Sequence, residues 1–262
     1  MALQLSSFKT RSLTAIGFVA VLLSSIYFSY FSFYLLFFVV SVCSIYEFAK
    51  LSSLLQGKIY LWPAYIAGVL LFLIISVGNL SPVLNIQVYA FILIGFLLFI
   101  SFLFDSEAKA AHRLGFTCLA LLYCVVPFAL LVKIPLNGEL THWLELDGNY
   151  DYFKVLGVLF LIWANDTFAY LGGSLFGKRK LMPSVSPGKT WEGTVIGFVS
   201  CIGVGFALNL NQTFTSHYVW PVIGVLVGLL GTIGDLVESK FKRLAGVKDS
   251  GNILPGHGGI LD

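Results

Sequence analysis

An acid in the middle of an apolar run is the first residue here that asks for chemistry. Asp166 lies in Trp163-Ala-Asn-Asp-Thr-Phe-Ala-Tyr170, within a stretch that otherwise reads as a membrane span. Placing a carboxylate there costs about 2.5–3.5 kcal/mol on insertion scales, and such residues mark functional sites by default. Asn165, Thr167 or Tyr170 could instead satisfy it inside a helix bundle. Downstream, Ser184-Val-Ser-Pro-Gly-Lys-Thr-Trp-Glu-Gly193 sets Ser186, Lys189 and Thr190 just ahead of another apolar run. Hydroxyls, an ammonium and the unsatisfied N–H groups of a helix start suit an anion such as phosphate. The Gly-Lys-Thr is not a P-loop, because Pro183 stands where GxxxxGK[ST] needs its first glycine. A basic loop on the cytoplasmic side is the plainer alternative.

Two further clusters follow. Asp235, Glu238 and Ser239 are spaced i, i+3, i+4, so they share one helix face. Placed at the end of a span, two acids oppose the helix dipole and call for a metal or a neighbouring base. Lys240, Lys242 and Arg243 stand close enough to serve as the base. The final segment, Lys248-Asp-Ser-Gly-Asn-Ile-Leu-Pro-Gly-His-Gly-Gly-Ile-Leu-Asp262, surrounds His257 with Gly256, Gly258 and Gly259 and adds Asp249 and Asp262. Glycines there let backbone approach a ligand closely. Carboxylates with phosphate and water suit Mg²⁺, and Lys and Arg neutralise phosphate oxygens. No nucleophile–base pair stands out, which disfavours a covalent intermediate. The residues alone point to a membrane-embedded, metal-dependent enzyme of phosphate chemistry.

The elements that must position these groups are membrane helices. Of the 262 residues 58% are hydrophobic and only 11% charged, against about 25% charged in soluble domains. Runs of about 20 apolar residues mark spans. Eight are expected, roughly at 13–29, 32–48, 60–77, 86–104, 115–133, 154–173, 193–210 and 218–236, in an all-α polytopic protein. With the N-terminus inside, the inner segments hold Lys9, Arg11, Lys50, Lys58, Lys109, Arg113, Lys178, Arg179, Lys180, Lys189, Lys240, Lys242, Arg243 and Lys248, and the outer ones only Lys133 and Lys154. That bias predicts a cytoplasmic N-terminus and sets the polar clusters on the cytoplasmic side. The basic excess therefore reports orientation rather than nucleic-acid binding. Cys43, Cys118, Cys124 and Cys201 lack paired metal spacing and read as small buried hydrophobes. No internal repeat or linker divides the chain, so residues 1–262 are expected to form a single domain.

These motifs have a family resemblance. Ser239-Lys-Phe-Lys-Arg243, Lys248-Asp249 and Leu254-Pro-Gly-His-Gly-Gly-Ile-Leu-Asp262 resemble the signature of the phosphatidate cytidylyltransferase (CDP-diacylglycerol synthase) family. Gly234-Asp-Leu-Val-Glu-Ser239 is similar to its lead-in, and Ser186-Pro-Gly-Lys-Thr-Trp-Glu-Gly193 to a second segment. Asp166 with Tyr170 and Phe176-Gly-Lys178 resembles a third, and Tyr46-Glu-Phe48 a weaker one. The resemblance implies the reaction CTP + phosphatidate → CDP-diacylglycerol + pyrophosphate, in an integral protein of a bacterial-type inner membrane. It implies Mg²⁺, with K⁺ as companion in a paired site, and it gives Asp235 and Asp262 metal-holding roles, to which Glu238 is added as a third acid. Lys189, Lys242, Arg243 and Lys248 would neutralise charge as a phosphatidate oxygen attacks the α-phosphorus of CTP, with Asp166, Asp249 and His257 as further catalytic candidates. Ser186, Thr190, Ser239, Gly258 and Gly259 would bind substrate. Partners are then CTP, inner-leaflet phosphatidate and membrane lipid, with a homodimer left open and no nucleic acid.

The sequence departs from the family at two places. Gly188 stands where lysine is common. Beyond the position of Asp262 the family pattern continues with Arg, another Asp and a further membrane segment, so the expectation is a domain truncated relative to the family, without its final helix. Two other readings stay open: a related CTP-using enzyme, such as a polyprenol kinase or an archaeal-type lipid cytidylyltransferase, and an ion or metabolite transporter.

Overall fold

The chain is described by a computed structural model covering residues 2–77, 86–136, 150–211, 218–256 and 258–262. It divides into two compact bodies, residues 1–151 with 245–262, and residues 152–244.

The first body holds α1 (Ala2–Phe28), α2 (Tyr30–Leu54), α3 (Leu61–Val77), α4 (Ile86–Leu103), α5 (Ala110–Cys124) and α6 (Val126–Leu131), plus the C-terminal segment. A single extended residue, Ser29, separates α1 from α2, and its Oγ accepts the N–H of Ser32 at 3.1 Å as an N-cap. The two tightly spaced spans expected at 13–29 and 32–48 are therefore longer helices with almost no turn between them. The span expected at 115–133 is realised in two pieces. Pro127 lies in the first turn of α6, and without an N–H it cannot continue the ladder of α5. On α2 one face is buried, including Ser41, Ser44, Glu47, Phe48 and Leu51, and Ser41 Oγ donates to the carbonyl of Cys124 at 2.9 Å.

The second body is α7 (Tyr152–Phe176), a hairpin of β1 (Lys180–Met182) and β2 (Ser186–Thr190), α8 (Trp191–Leu208), a short 3-10 turn at Asn209–Asn211 and α9 (Val219–Leu244). Its core is Leu161, Cys201 and Trp220. Glycines set the helix spacing, as small residues do where backbones meet in membranes. A Cβ on Gly197 would come within 2.7 Å of the Asn165 carbonyl oxygen, and one on Gly224 within 2.6 Å of that of Cys201.

Five helical segments are long and apolar enough to cross a membrane: Tyr30–Leu54, Ala110–Leu131, Tyr152–Phe176, Trp191–Leu208 and Val219–Leu244. Three shorter apolar stretches accompany them, Ser12–Phe28, Leu61–Ser76 and Gln87–Leu103. Large apolar side chains such as Phe91, Ile92, Phe96 and Phe99 face outward on α4. This is an integral membrane protein built almost wholly of helix. The hairpin is the addition: residues 180–190 read from sequence as a polar loop.

Two cysteines depart from expectation. Cys124 and Cys201 are buried, but Cys43 is only half-buried and Cys118 is exposed.

Candidate active site

In the second body the hairpin determines where the site lies. Val185 N–H donates to the Met182 carbonyl at 3.1 Å, closing the turn, and Arg243 Nε on α9 donates to the Val185 carbonyl at 3.2 Å. Glu192, in the first turn of α8, accepts the backbone N–H groups of Lys178 and Arg179 at 3.0 and 3.2 Å. Thr190 caps α8, its Oγ1 accepting the N–H of Gly193 at 3.2 Å. The hairpin is thus tied at its base by Glu192 and at its tip by Arg243.

This arrangement brings Lys189 of β2 into an ion pair with Asp235 of α9. Both line a cavity of about 490 Å³ together with Asp166, Asn165 and Tyr170 of α7, Thr190, and Thr232 of α9. Asp166, Lys189, Thr190 and Asp235, singled out from sequence, therefore share one cavity. Asn165, Ser174 and Thr232 also line it and were not anticipated. Asn165 had been read only as a possible partner for Asp166; it is 5% exposed, with its Oδ1 buried and without a hydrogen-bond partner.

The α9 cluster differs from expectation in one respect. The helix continues to Leu244, so Asp235 stands more than two turns before its end. The dipole acts within the last turn, which here carries Lys242 and Arg243, so it does not by itself call for a cation at Asp235. On the shared face Ser239 Oγ donates to Asp235 Oδ1 at 3.3 Å, and Lys242 Nζ donates to Glu238 at 2.8 Å. Glu238 is thus paired with a base on its own helix. Ser186 is a half-buried residue of β2.

The C-terminal segment belongs to the first body. Reciprocal bonds between Leu254 and Gly258, at 2.9 and 3.0 Å, close a loop in which Gly256 and Gly258 have φ of +80° and +103°, values that favour glycine. His257 lies outside the described residues. Lys248, Asp249 and Gly258 line a cavity of about 490 Å³ with Asn252, Pro255 and Gly256. Asp262 Oδ2 accepts the N–H of Ser250 at 2.8 Å, its Oγ at 3.0 Å and the N–H of Gly259 at 2.7 Å. Glu47 reaches the same loop from α2. It stands at the end of the span expected at 32–48, in the Tyr46-Glu-Phe48 segment whose family resemblance assigned it no role.

The donor chemistry fits a hard cation. Asp166 and Asp235 offer two carboxylates to one open cavity, and Mg²⁺ binds through one or two carboxylates plus phosphate and water. Among the described residues no group of three or more acidic, His or Cys side chains forms a closed metal cage. A site completed by substrate phosphates needs none.

Comparison with known proteins agrees with this chemistry. The profile of the cytidylyltransferase family matches residues 9–262. A phosphatidate cytidylyltransferase of Haemophilus influenzae is 33% identical over 274 residues, covering 97% of this chain and 92% of that protein. One of Staphylococcus aureus is 49% identical over 110 residues, covering 41% of this chain and 42% of its own length. Phosphatidate cytidylyltransferase 4, chloroplastic, of Arabidopsis thaliana is 49% identical over 100 residues, covering 38% of this chain and 25% of its own. The chain therefore belongs to the cytidylyltransferase family and, like these relatives, is an enzyme.

Proposed function

We propose that this enzyme transfers CMP from CTP to phosphatidate at the cytoplasmic face of a bacterial-type inner membrane. A phosphatidate oxygen forms a bond to the α-phosphorus of CTP, the α–β phosphoanhydride bond breaks, and pyrophosphate leaves. The observation that carries the reading is the cavity where Lys189, Asp166 and Asp235 meet, in a chain aligned along 97% of its length with a phosphatidate cytidylyltransferase. Lys189 would neutralise triphosphate charge, and Ser186 and Thr190 would donate hydroxyls to phosphate oxygens. Mg²⁺, with K⁺ as companion ion, would supply charge neutralisation of the pyrophosphate group, held by Asp235 with Asp166, and the family resemblance gives Asp262 a metal-holding role as well. Lys242 and Arg243 would add positive charge beside Ser239, and the family resemblance gives Lys248, Asp249, His257, Gly258 and Gly259 of the C-terminal segment roles in charge neutralisation and substrate contact.

Orientation rests on fourteen basic residues against two. The chain would cross the membrane eight times, by five long and three shorter apolar helices, with the N-terminus inside. Phosphatidate would enter from the inner leaflet.

The test uses the purified chain in lipid vesicles with phosphatidate, Mg²⁺ and CTP labelled in the cytidine or in the γ-phosphate. CDP-diacylglycerol carrying the cytidine label, with pyrophosphate released, is expected. Transfer of the γ-label to lipid with release of CDP would mark a kinase and overturn the proposal, and so would the absence of any product.

A further inference from the structure

Glu47 is 1% exposed, on the buried face of α2 with Ser44, Phe48 and Leu51. A carboxylate withdrawn from water is costly unless donors replace its hydration. Two donors reach it from the far end of the sequence. Leu261 N–H donates to Oε2 at 2.8 Å and Ser250 Oγ donates to it at 3.3 Å. That hydroxyl also faces Asp262 Oδ2, at 3.0 Å. One hydroxyl proton serves one acceptor at a time, and the shorter distance favours Asp262. Glu47 therefore holds the loop chiefly by the N–H of Leu261, the residue next to Asp262.

The loop is shaped to receive this carboxylate. Gly251 lies against Glu47 Oε1 and Gly259 against both oxygens, so a Cβ at either position would collide with it. Oε1 itself is buried without a hydrogen-bond partner. Gly259 N–H and Ser250 N–H, both on the gripped loop, fix Asp262 Oδ2 at 2.7 and 2.8 Å. Glu47, Ser250, Gly259 and Asp262 are one unit.

We infer that Glu47 is a positioning residue: its carboxylate clamps the loop 248–262 and thereby fixes the direction of the Asp262 carboxylate. The inference rests on the proposed cytidylyltransferase reading for its kinetic part, and its structural part stands without it.

The experiment compares the full chain with Glu47→Ala, Glu47→Gln and Ser250→Ala in detergent micelles. Two properties are followed: amide hydrogen exchange of peptides within 248–262 and 178–190 without substrate, and kcat and KM for CTP. In Glu47→Ala, exchange in 248–262 should rise by about tenfold or more while 178–190 stays within about twofold. Its kcat should fall by about tenfold or more with KM for CTP within about threefold. Glu47→Gln keeps an amide oxygen for the Leu261 N–H and should recover part of both. Ser250→Ala removes only the weaker Glu47 contact and should raise exchange in 248–262 by less, so Glu47→Gln, with exchange above wild type, carries the test if Glu47→Ala fails to fold. Unchanged exchange in 248–262 in the folded variants overturns the clamp, whatever happens to activity. Faster exchange together with an inactive wild type supports the clamp and sinks the cytidylyltransferase reading instead.

Discussion

Glu192 and Glu47 do similar work in different bodies. Each is a helix-borne acid that accepts backbone N–H from a glycine- and proline-containing polar segment. Glu192 holds Lys178 and Arg179, fourteen and thirteen residues away, at an exposed hairpin base. Glu47 holds Leu261 across 214 residues and is sealed from solvent. The acids presented by the two segments also differ. Asp235 is half-exposed and ion-paired with Lys189, whereas the donors on Asp262 Oδ2 are a hydroxyl and two backbone amides. The contrast separates two ways to hold a carboxylate. A local, solvated hairpin can let its lysine leave the aspartate for a phosphate. A long-range buried clamp keeps its aspartate in one direction.

If Lys189 and Asp235 act as a switchable pair, their variants should show the largest effect. Lys189→Ala and Asp235→Asn should each lower kcat/KM for CTP by about 10²–10³-fold, the range for removing one preorganised charge contact. Residues acting as a unit are non-additive, so the double variant should lose far less than the product of the two. Fully additive losses would break the pairing. Losses confined to the aspartate variant would reassign Lys189 to the hairpin's structure.

The two segments also differ in how tightly they are packed. Gly259→Ala drives a Cβ into both oxygens of Glu47, while nothing lies within 4 Å of a Cβ at Gly188. Overpacking costs about 1–3 kcal/mol, so Gly259→Ala should lower thermal stability measurably and Gly188→Ala should leave it nearly unchanged. Equal midpoints for the two would remove the distinction between a sealed clamp and an open hairpin.

The same contrast explains what the sequence could reveal. Asp166 stood out because a charge in an apolar run is costly, and the convergent Lys189 because its neighbours are Gly, Pro, Ser and Thr. Glu47 sits only at the edge of its apolar run, and its meaning lies in Ser250 and Leu261, more than 200 residues away. No spacing within one sequence encodes such a contact. The hairpin was illegible for another reason. Residues 180–190 show no strand-like alternation, and the pairing is fixed by Glu192 below and Arg243 above. The break between α5 and α6, by contrast, was written in Pro127. The end of α9 was misjudged because the apolar run stops before the helix does, and the last turns are helical but polar.

A smaller effect should come from adding charge to the hairpin. Gly188 lines the cavity, with open space where a Cβ would stand. Gly188→Lys should lower KM for CTP by about two- to fivefold, the range of a solvated ion pair worth about 0.4–1 kcal/mol. The gain should shrink with added salt. A rise in KM would show that the hairpin's near side is occupied by something other than phosphate.

The smallest effect concerns a third acid of the same kind, Asp105, which extends the comparison to a surface turn. It accepts the N–H of Glu107 at 3.0 Å, the Tyr60 hydroxyl at 2.8 Å and Arg113 at 3.1 Å. The Glu107 N–H is the first cause of its lowered pKa, and the Tyr60 and Arg113 contacts add to it. All of them favour the charged form. A carboxyl whose folded pKa is depressed contributes stability above its unfolded value, near 3.8. That contribution is lost as pH falls through the lower folded value. Wild type should therefore lose thermal stability relative to Asp105→Asn between about pH 5 and pH 3, and the two should run parallel above that window. A constant offset down to pH 3 would mean that the turn is held by packing rather than by the charge on Asp105. The energetic comparison with the two loop-clamping glutamates would then not extend to Asp105.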